Sequence, residues 1–196
     1  GETPFVDCLG IWPEALDVVL IKIPKVLSLL EYQLQRLRGA IGPDTVIIGA
    51  GMTRDVHTST IKAFETFVGP TTTSLARKKA RLIFSTPDMN MSPVKQIGPK
   101  VWSPPGQPFE LHEYPGVFSQ GKMDQGTGLL LENLPNIEAG ASVVDLGCGS
   151  GTIGLAALAG QPACTMTFID ESYLAVASAR ESWARMETPV EAPHFT

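Results

Sequence analysis

The chain has 196 residues, of which 43% are hydrophobic, and a formal net charge of −5, which is ordinary for a globular protein. No apolar run reaches the roughly 18–20 residues of a membrane span, and the first ten residues lack the basic-then-apolar order of a signal peptide, so a cytoplasmic location is expected. Three cysteines without a CxxC spacing favour neither a disulfide framework nor a zinc site, and no metal is expected.

The two halves of the chain differ in charge. Residues 1–100 carry 12 basic and 9 acidic residues, whereas residues 101–196 carry 3 and 11. An asymmetry of this kind suggests that one half contacts a polyanion. The signal is weak by itself, because a net charge of +3 over a hundred residues is not strongly basic.

Strands and helices alternate in the first half, which predicts an α/β domain with a largely parallel sheet. The predicted elements are strand 17–23, helix 26–38, a turn at 42–44, strand 45–50, a helix from Thr58 or Ser59 to Phe67, and strand 80–85. A connector rich in proline and glycine follows at 86–108.

A second α/β pattern follows the connector. Its predicted elements are helix 126–134, strand 142–146, helix 152–159, strand 165–170 and helix 172–186. A glycine-rich turn from Gly147 to Gly151 joins the first strand to its helix, and Asp170 ends the next strand. Such a turn lets the backbone approach a ligand closely, and an acid at this position can accept ribose hydroxyls. The pattern predicts a nucleotide-type βαβ unit.

Two cofactor classes compete for this unit. Gly149 to Gly154 fits G-x-G-x-x-G, and Asp170 follows Gly149 at close to the roughly 20-residue spacing of dinucleotide-binding proteins, so spacing does not exclude NAD. Asp145 lies two residues before the first glycine of the turn, where it would repel a pyrophosphate but attract the ammonium of a methionine group. This favours S-adenosylmethionine (SAM) over NAD and over an incidental glycine turn.

The string Asp-Leu-Gly-Cys-Gly-Ser-Gly at 145–151 resembles the first SAM motif of class I methyltransferases. Other blocks extend the resemblance to the family of ribosomal RNA guanine-N2 methyltransferases that contains large-subunit methyltransferase G and small-subunit methyltransferase C. These blocks are residues 17–83, the FS-x-x-x-LD-x-G-like segment with Phe118, Asp124 and Gly126, and residues 144–155 and 168–178.

The resemblance implies a SAM-dependent enzyme that methylates the exocyclic N2 of a guanine in large-subunit (23S) rRNA, its macromolecular partner. The expected fold is α/β: a truncated, Rossmann-like class I methyltransferase domain at 113–196, a linker at 91–112, and a degenerate methyltransferase-like α/β domain at 1–90. The implied cofactor-binding residues are Asp145, Gly147, Cys148, Gly149, Gly151, Asp170, Phe118, Asp124 and Gly126.

The first domain is expected to handle RNA rather than cofactor. The loop after strand 45–50 lacks repeated glycines, and residues 23–25, Ile-Pro-Lys, stand where an active copy would carry its catalytic tetrapeptide. The cluster of Arg77, Lys78, Lys79 and Arg81 is the candidate for rRNA phosphate contacts, with a solvated charged face as the alternative.

The family's Asn-Pro-Pro-aromatic motif does not occur in this sequence, and the nearest string is Ser-Pro-Pro-Gly at 103–106. Full catalysis by this chain is therefore not expected, and no catalytic residue is assigned. The alternatives are a non-catalytic module that binds SAM or RNA, a nicotinamide oxidoreductase, and a protein-glutamine methyltransferase. The resemblance of the amino-terminal domain argues against the last of these. The sequence does not indicate an oligomeric state.

Overall fold

A computed structural model describes residues 5–186 and 192–196 and divides the chain into two units, residues 1–97 and 98–196. Each unit has its own sheet and its own hydrophobic core. The division lies within the segment 91–112 that was predicted as a linker. In the described part of the chain, no helix is long and apolar enough to cross a bilayer.

The first unit is a four-stranded sheet with two helices. Its elements are β1 (Leu16–Lys22), α1 (Leu27–Leu37), β2 (Ile41–Met52), α2 (Thr58–Phe67), β3 (Thr71–Thr73) and β4 (Ala80–Ser85). The strand order is β1-β2-β4-β3. The core of this unit contains Leu30 and Leu34 of α1 and Phe64 of α2, all fully buried, which confirms the amphipathic character predicted for α1.

Two predictions for the first unit are wrong. The sheet is mixed rather than largely parallel, because β1 and β2 are parallel whereas β4 is antiparallel to both β2 and β3. Residues 42–44, predicted as a turn, lie within β2 as an irregularity in its pairing with β1. There the Thr45 hydroxyl accepts the Gly42 N–H and donates to the Leu16 carbonyl, which holds the extra residues without interrupting the strand.

The second unit combines a two-stranded ribbon with a parallel sheet. Its elements are β5 (Lys100–Trp102), β6 (Leu111–Glu113), α3 (Gln125–Glu132), β7 (Ser142–Leu146), α4 (Thr152–Gly160), β8 (Thr165–Ile169), α5 (Tyr173–Trp183) and β9 (His194–Phe195). Strands β5 and β6 are antiparallel, and β7, β8 and β9 are parallel in that order. Phe109 and Leu111 are buried in this unit's core, so it begins before residue 113, inside the predicted linker.

Strands β7 and β8 determine where the candidate site lies. They are in register from Ser142 opposite Thr165 to Leu146 opposite Ile169, so their carboxyl ends meet at one edge of the sheet. Helix α4 between them is apolar around its whole circumference, and Gly154 through Leu158 are buried. In open α/β sheets, ligands bind outside the carboxyl ends of the strands.

Candidate functional site

Three glycines shape the turn between β7 and α4. Gly147, Gly149 and Gly151 have φ angles of 74°, 53° and 87°, a left-handed conformation that residues with a Cβ rarely adopt. The N–H groups of Gly147 and Cys148 donate to the Ile169 carbonyl at 2.8 and 2.9 Å, which fixes the turn to the end of β8. A Cβ on Gly147 or Gly149 would meet no atom within 4 Å, so the backbone there faces open space.

Gly154, the last glycine of the motif, allows α4 to pack closely on the sheet. A Cβ at this position would lie 2.3 Å from Cε1 of Phe168 and 3.0 Å from Oδ2 of Asp145. Because Phe168 is fully buried, its ring has little room to move away. The close approach places the Gly154 nitrogen 2.9 Å from Asp145 Oδ2, which accepts its N–H.

Asp145 caps α4 from the preceding strand. Gly151, the N-cap residue, has no side chain that could accept the first N–H groups of the helix, and Asp145 Oδ2 accepts the one on Gly154. Burial raises the pKa of Asp145; the Gly154 N–H opposes this shift, and the charge of Asp170 adds to it. A cationic ligand group beside Asp145 would offset the cost of keeping this carboxylate ionised.

Two backbone N–H groups hold Asp170 in place. Its Oδ2 accepts from Gly149 at 2.9 Å and its Oδ1 accepts from Ser172 at 2.8 Å. Each carboxylate oxygen has capacity for a further hydrogen bond. Asp170 is therefore positioned at the glycine turn with acceptor capacity for ligand hydroxyls.

The segment from Gly116 to Asp124 forms another wall of the site. Phe118 is 76% exposed, although it lines the same cavity as Asp145. Asp124 is the N-cap of α3, and its Oδ2 accepts the N–H groups of Gly126 and Thr127 at 2.9 and 3.1 Å. Asp124 thus serves as a helix cap and also lines the cavity.

Two buried serines of α5 anchor the chain that leads to this wall. Ser182 Oγ accepts the His112 N–H at 2.8 Å, and Ser178 Oγ accepts the Tyr114 N–H at 2.9 Å. Each hydroxyl also donates to the carbonyl four residues earlier in α5. The backbone on either side of Glu113 is therefore fixed to α5.

Glu113 lines the cavity and accepts hydrogen bonds from the loop that follows it. The residue is 2% exposed, and its Oε2 accepts the Gly121 N–H at 2.5 Å. Its carbonyl accepts from the Gln120 side-chain amide at 2.8 Å. Glu113 thereby fixes residues 120–121, immediately before Lys122.

Two adjoining cavities of about 220 and 570 Å³ lie at the carboxyl ends of β7 and β8. Phe118, Gly147, Gly149 and Asp170 line both of them. Together they fall within the ~300–1,000 Å³ range of small-molecule sites.

The two cavities differ in chemistry. The lining of the smaller one contains four carboxylates and one ammonium: Glu113, Asp124, Asp145, Asp170 and Lys122. The larger one has an apolar part formed by Val117, Leu146, Ile169 and Ala175, next to Glu171 and Ser172. Within residues 5–186 and 192–196, no cluster of acids, histidines or cysteines could hold a metal ion.

Two domain families match the chain, one in each unit. The family described as RLMG N-terminal domain matches residues 2–89, and the family described as methyltransferase small domain matches residues 108–195. The second match contains the residues that line both cavities except Trp102.

Curated relatives with a shared name match most of the chain. Ribosomal RNA large subunit methyltransferase G of Erwinia tasmaniensis is 45% identical over 183 residues, and that of Streptomyces avermitilis is 46% identical over 178 residues. The chain is similar to this family along most of its own length. These matches cover 92% and 87% of the chain but 48% and 46% of the relatives, so the chain spans about half of their length.

A solved structure shows the same fold. T. thermophilus RsmC, a 16S rRNA N2 methyltransferase in complex with AdoMet and guanosine, matches with a TM-score of 0.78 and 21% identity, over 93% of this chain and 51% of RsmC. The predicted fold, an α/β class I methyltransferase, is thereby confirmed.

Most of the predicted cofactor residues come together in the smaller cavity. Its lining includes Phe118, Asp124, Asp145, Gly147, Cys148, Gly149 and Asp170. Gly151 and Gly126 do not line it: Gly151 shapes the turn and lies against Ala179, and Gly126 donates to Asp124. The binding role of all nine residues stays a prediction.

Cys148 lies in the turn but is not a reactive thiol. Burial, together with the charges of Asp145 and Asp170, raises the pKa of Cys148 to about 12. The thiol is therefore protonated at neutral pH and fills space beneath the turn.

Trp102, Glu113 and Lys122 are among the residues that line the smaller cavity and that sequence reasoning missed. The first two belong to the β5–β6 ribbon: Trp102 lies in the segment 91–112 that was predicted as a linker, and Glu113 is the residue immediately after that segment. Lys122 did carry a signal, because it is one of three basic residues after position 100.

The predicted RNA-binding cluster forms a hairpin tip in the first unit. Arg77 and Ala80 exchange N–H···O bonds of 2.8 and 3.0 Å across a two-residue turn. Lys78 and Lys79 form that turn with φ angles of 48° and 62°, as in a type I′ turn. Arg77, Lys78 and Lys79 are exposed, whereas Arg81 is half-buried in β4. The turn thus carries two lysines where Asn-Gly is preferred, which costs stability.

Proposed function

We propose that this chain binds SAM in the two adjoining cavities, as part of the machinery that methylates the exocyclic N2 of a guanine in large-subunit (23S) ribosomal RNA. The charge pattern of the smaller cavity carries the cofactor proposal. The names of the relatives and the AdoMet and guanosine bound to RsmC support the reaction class. We propose a cytoplasmic location on the same basis, because the proposed substrate is ribosomal.

The charges of the smaller cavity complement those of SAM. SAM has two cationic groups, a sulfonium and an ammonium, and one carboxylate. The cavity offers four carboxylates and one ammonium. The pyrophosphate of NAD would meet the same carboxylates and be repelled, which disfavours the oxidoreductase alternative.

The two cavities suggest how the parts of the ligand are distributed. Asp170, which lines both, would accept the ribose hydroxyls, and the apolar part of the larger cavity would hold the adenine. Asp145 would pair with the ammonium, since Gly154 is its only hydrogen-bond donor among the described residues. When bound, SAM supplies an activated methyl group on its sulfonium. The residues of this chain orient that group.

Calorimetric titration of SAM into the chain, with Asp145→Asn as the variant, tests the cofactor proposal. The asparagine oxygen can still accept the Gly154 N–H, so the variant removes charge while keeping the cap. Loss of a charge-assisted contact of about 1.5–3 kcal/mol predicts roughly ten- to hundredfold weaker SAM binding. NADH should not bind to either form. A folded chain that does not bind SAM, or equal affinities for the two forms, would refute the proposal.

We also propose that the hairpin tip with Arg77, Lys78 and Lys79, together with Arg81, contacts rRNA phosphates. The three tip residues are exposed, and the strained turn presents two ammonium groups to solvent. Each phosphate contact adds salt-dependent affinity through counterion release.

The chain allows a test of the hairpin that does not weaken the fold. The double variant Lys78→Asn, Lys79→Gly removes two charges and installs the preferred type I′ pair, so its melting temperature should rise. Affinity for an rRNA fragment should fall, and the slope of log affinity against log salt should decrease by about 1–2. If RNA affinity and its salt slope were unchanged, the charged tip would be a solvated face. Lys62→Met, on α2, serves as a charge control.

A further inference from the structure

We infer that Lys122 binds the α-carboxylate of the SAM methionine group and that Glu113 is the positioning residue that holds Lys122 at the cavity. The inference rests on the proposed function and names the anionic subsite of the same ligand.

The distribution of charge in the second unit points to Lys122. Unit 98–196 has four basic residues, Lys100, Lys122, Arg180 and Arg185. The Arg180 guanidinium lies 5.1 Å from the centre of the Phe195 ring, and Arg185 pairs with Glu181 at 2.9 Å. Lys100 packs its side chain on Gly121 and does not line the cavity. In the described chain, Lys122 lines the cavity and forms no ion pair there.

The acids of the same cavity exclude the other places for an anion. A ligand carboxylate beside Asp124, Asp145, Asp170 or Glu113 would meet like charge. The Ser119 and Thr127 hydroxyls also line the cavity and can donate to a carboxylate. Lys122 is between them in sequence, so the cation and the hydroxyl donors belong to one stretch of chain.

Glu113 fixes the position of that stretch. Its buried carboxylate accepts the N–H of Gly121, the residue immediately before Lys122, and its carbonyl holds Gln120. The backbone around Glu113 is in turn bound to Ser178 and Ser182. The backbone that carries Lys122 is therefore held by α5, although Lys122 itself is exposed.

Ligand analogues separate this role from a general effect of charge. We would titrate Lys122→Met with SAM, with decarboxylated SAM, which keeps the sulfonium and the amine, and with methylthioadenosine, which lacks both the amine and the carboxylate. An exposed cation paired with a carboxylate predicts about three- to fivefold weaker binding of SAM. Affinity for the two analogues should change by less than about twofold. Arg185→Met is the matched control: it removes a charge of the same unit that does not line the cavity and should leave all three affinities unchanged.

Each outcome decides a different point. Equal losses for SAM and decarboxylated SAM would overturn the inference, because Lys122 would then act through the fold or the general field. If the unaltered chain bound decarboxylated SAM as tightly as SAM, no carboxylate subsite would exist. If it bound none of the ligands, the cofactor proposal itself would fail.

The positioning role of Glu113 has its own readout. Glu113→Ala should abolish the preference for SAM over decarboxylated SAM, and Glu113→Gln should restore it, because glutamine can still accept the Gly121 N–H. Circular dichroism and melting curves would show that the variants are folded. Loss of preference in both variants would assign the effect to the charge of Glu113 rather than to positioning.

Discussion

Each unit contains a parallel strand–helix–strand segment, β1–α1–β2 in the first and β7–α4–β8 in the second. The two segments correspond closely at the end of the first strand. The N–H of Ile23 donates to the Ala50 carbonyl of β2 at 2.9 Å, and the N–H of Gly147 donates to the Ile169 carbonyl of β8 at 2.8 Å. In this local hydrogen-bond register, Ile21 is aligned with Asp145, although residues 23–25 are expected to stand at the position of the family's catalytic tetrapeptide rather than at a cofactor-binding turn.

The space beyond the strand ends differs between the units. In the first, Ile23 is 6% exposed and packs against β2: a Cβ on Gly49 would lie 3.1 Å from its Cδ1, and a Cβ on Gly51 would lie 3.1 Å from its Cβ. In the second, Gly147 and Gly149 face open space. A few loop side chains therefore decide whether the space beyond a strand end is open.

The largest effect should come from closing the gap that Gly154 keeps between α4 and β8. Gly154→Val would place its Cβ within 2.3 Å of the Phe168 ring. Because overpacking a rigid core costs about 1–3 kcal/mol or more, and the Asp145 cap would be displaced as well, we expect the second unit to lose cooperative unfolding. Gly160→Ala in the same helix has no neighbour within 4 Å and should be neutral or stabilising by up to about 1 kcal/mol. Calorimetric melting curves that are alike for the two variants would contradict this account.

The corresponding change in the first unit should affect stability but not ligand binding. Ile23→Ala removes a buried side chain and should lower the free energy of unfolding by about 2–4 kcal/mol. SAM affinity, measured by titration below the melting temperature, should not change, and no second SAM site should appear. A second binding event in the variant would mean that Ile23 alone keeps the first unit from binding ligand.

In both units, the sequence predicted the features that depend on neighbouring residues, such as helices and glycine turns. Helical spacing located α1, and the Asp-Leu-Gly-Cys-Gly-Ser-Gly string located β7, its turn and α4, because side-chain period and glycine turns are properties of neighbouring residues. It did not predict that β4 runs antiparallel to β2, since alternation of strands and helices does not specify direction.

The part of the site built from β6 could not be predicted for a related reason. Ser182 and Ser178 contact residues that lie 70 and 64 positions earlier in the chain. Nothing in their local sequence distinguishes these serines from other small residues of a helix. The role of Glu113 likewise depends on a ribbon whose proline-rich flanks are typical of a linker.

Removing one of these serines should have an intermediate effect that is confined to the second unit. Ser178→Ala leaves the Tyr114 N–H without its acceptor and should lower stability by about 1–3 kcal/mol. Because β6 leads to Phe118 and Lys122, SAM affinity should fall as well. Ser74→Ala in the first unit, which removes a partly exposed hydroxyl acceptor of Leu82, is the control and should leave SAM affinity unchanged. Unchanged SAM affinity in a destabilised Ser178→Ala protein would show that the anchor is not needed by the site.

The smallest effect concerns the charge of Asp145. Ile21, which is aligned with Asp145 in the first unit, has no charge to titrate. Burial raises the pKa of Asp145 in the free chain, so this group favours the folded state at low pH, and its contribution is lost as the pH rises through the raised pKa. An ammonium beside the carboxylate favours the ionised form and lowers the pKa again. SAM binding should therefore strengthen as the pH rises from about 4 to 7 and should release protons, which titrations in buffers of different ionisation enthalpy measure directly. Asp145→Asn should show neither effect. Tighter binding at lower pH would contradict the pairing of Asp145 with the ammonium. The difference between the two units would then lie in the open space at the glycine turn and not in the charge of Asp145.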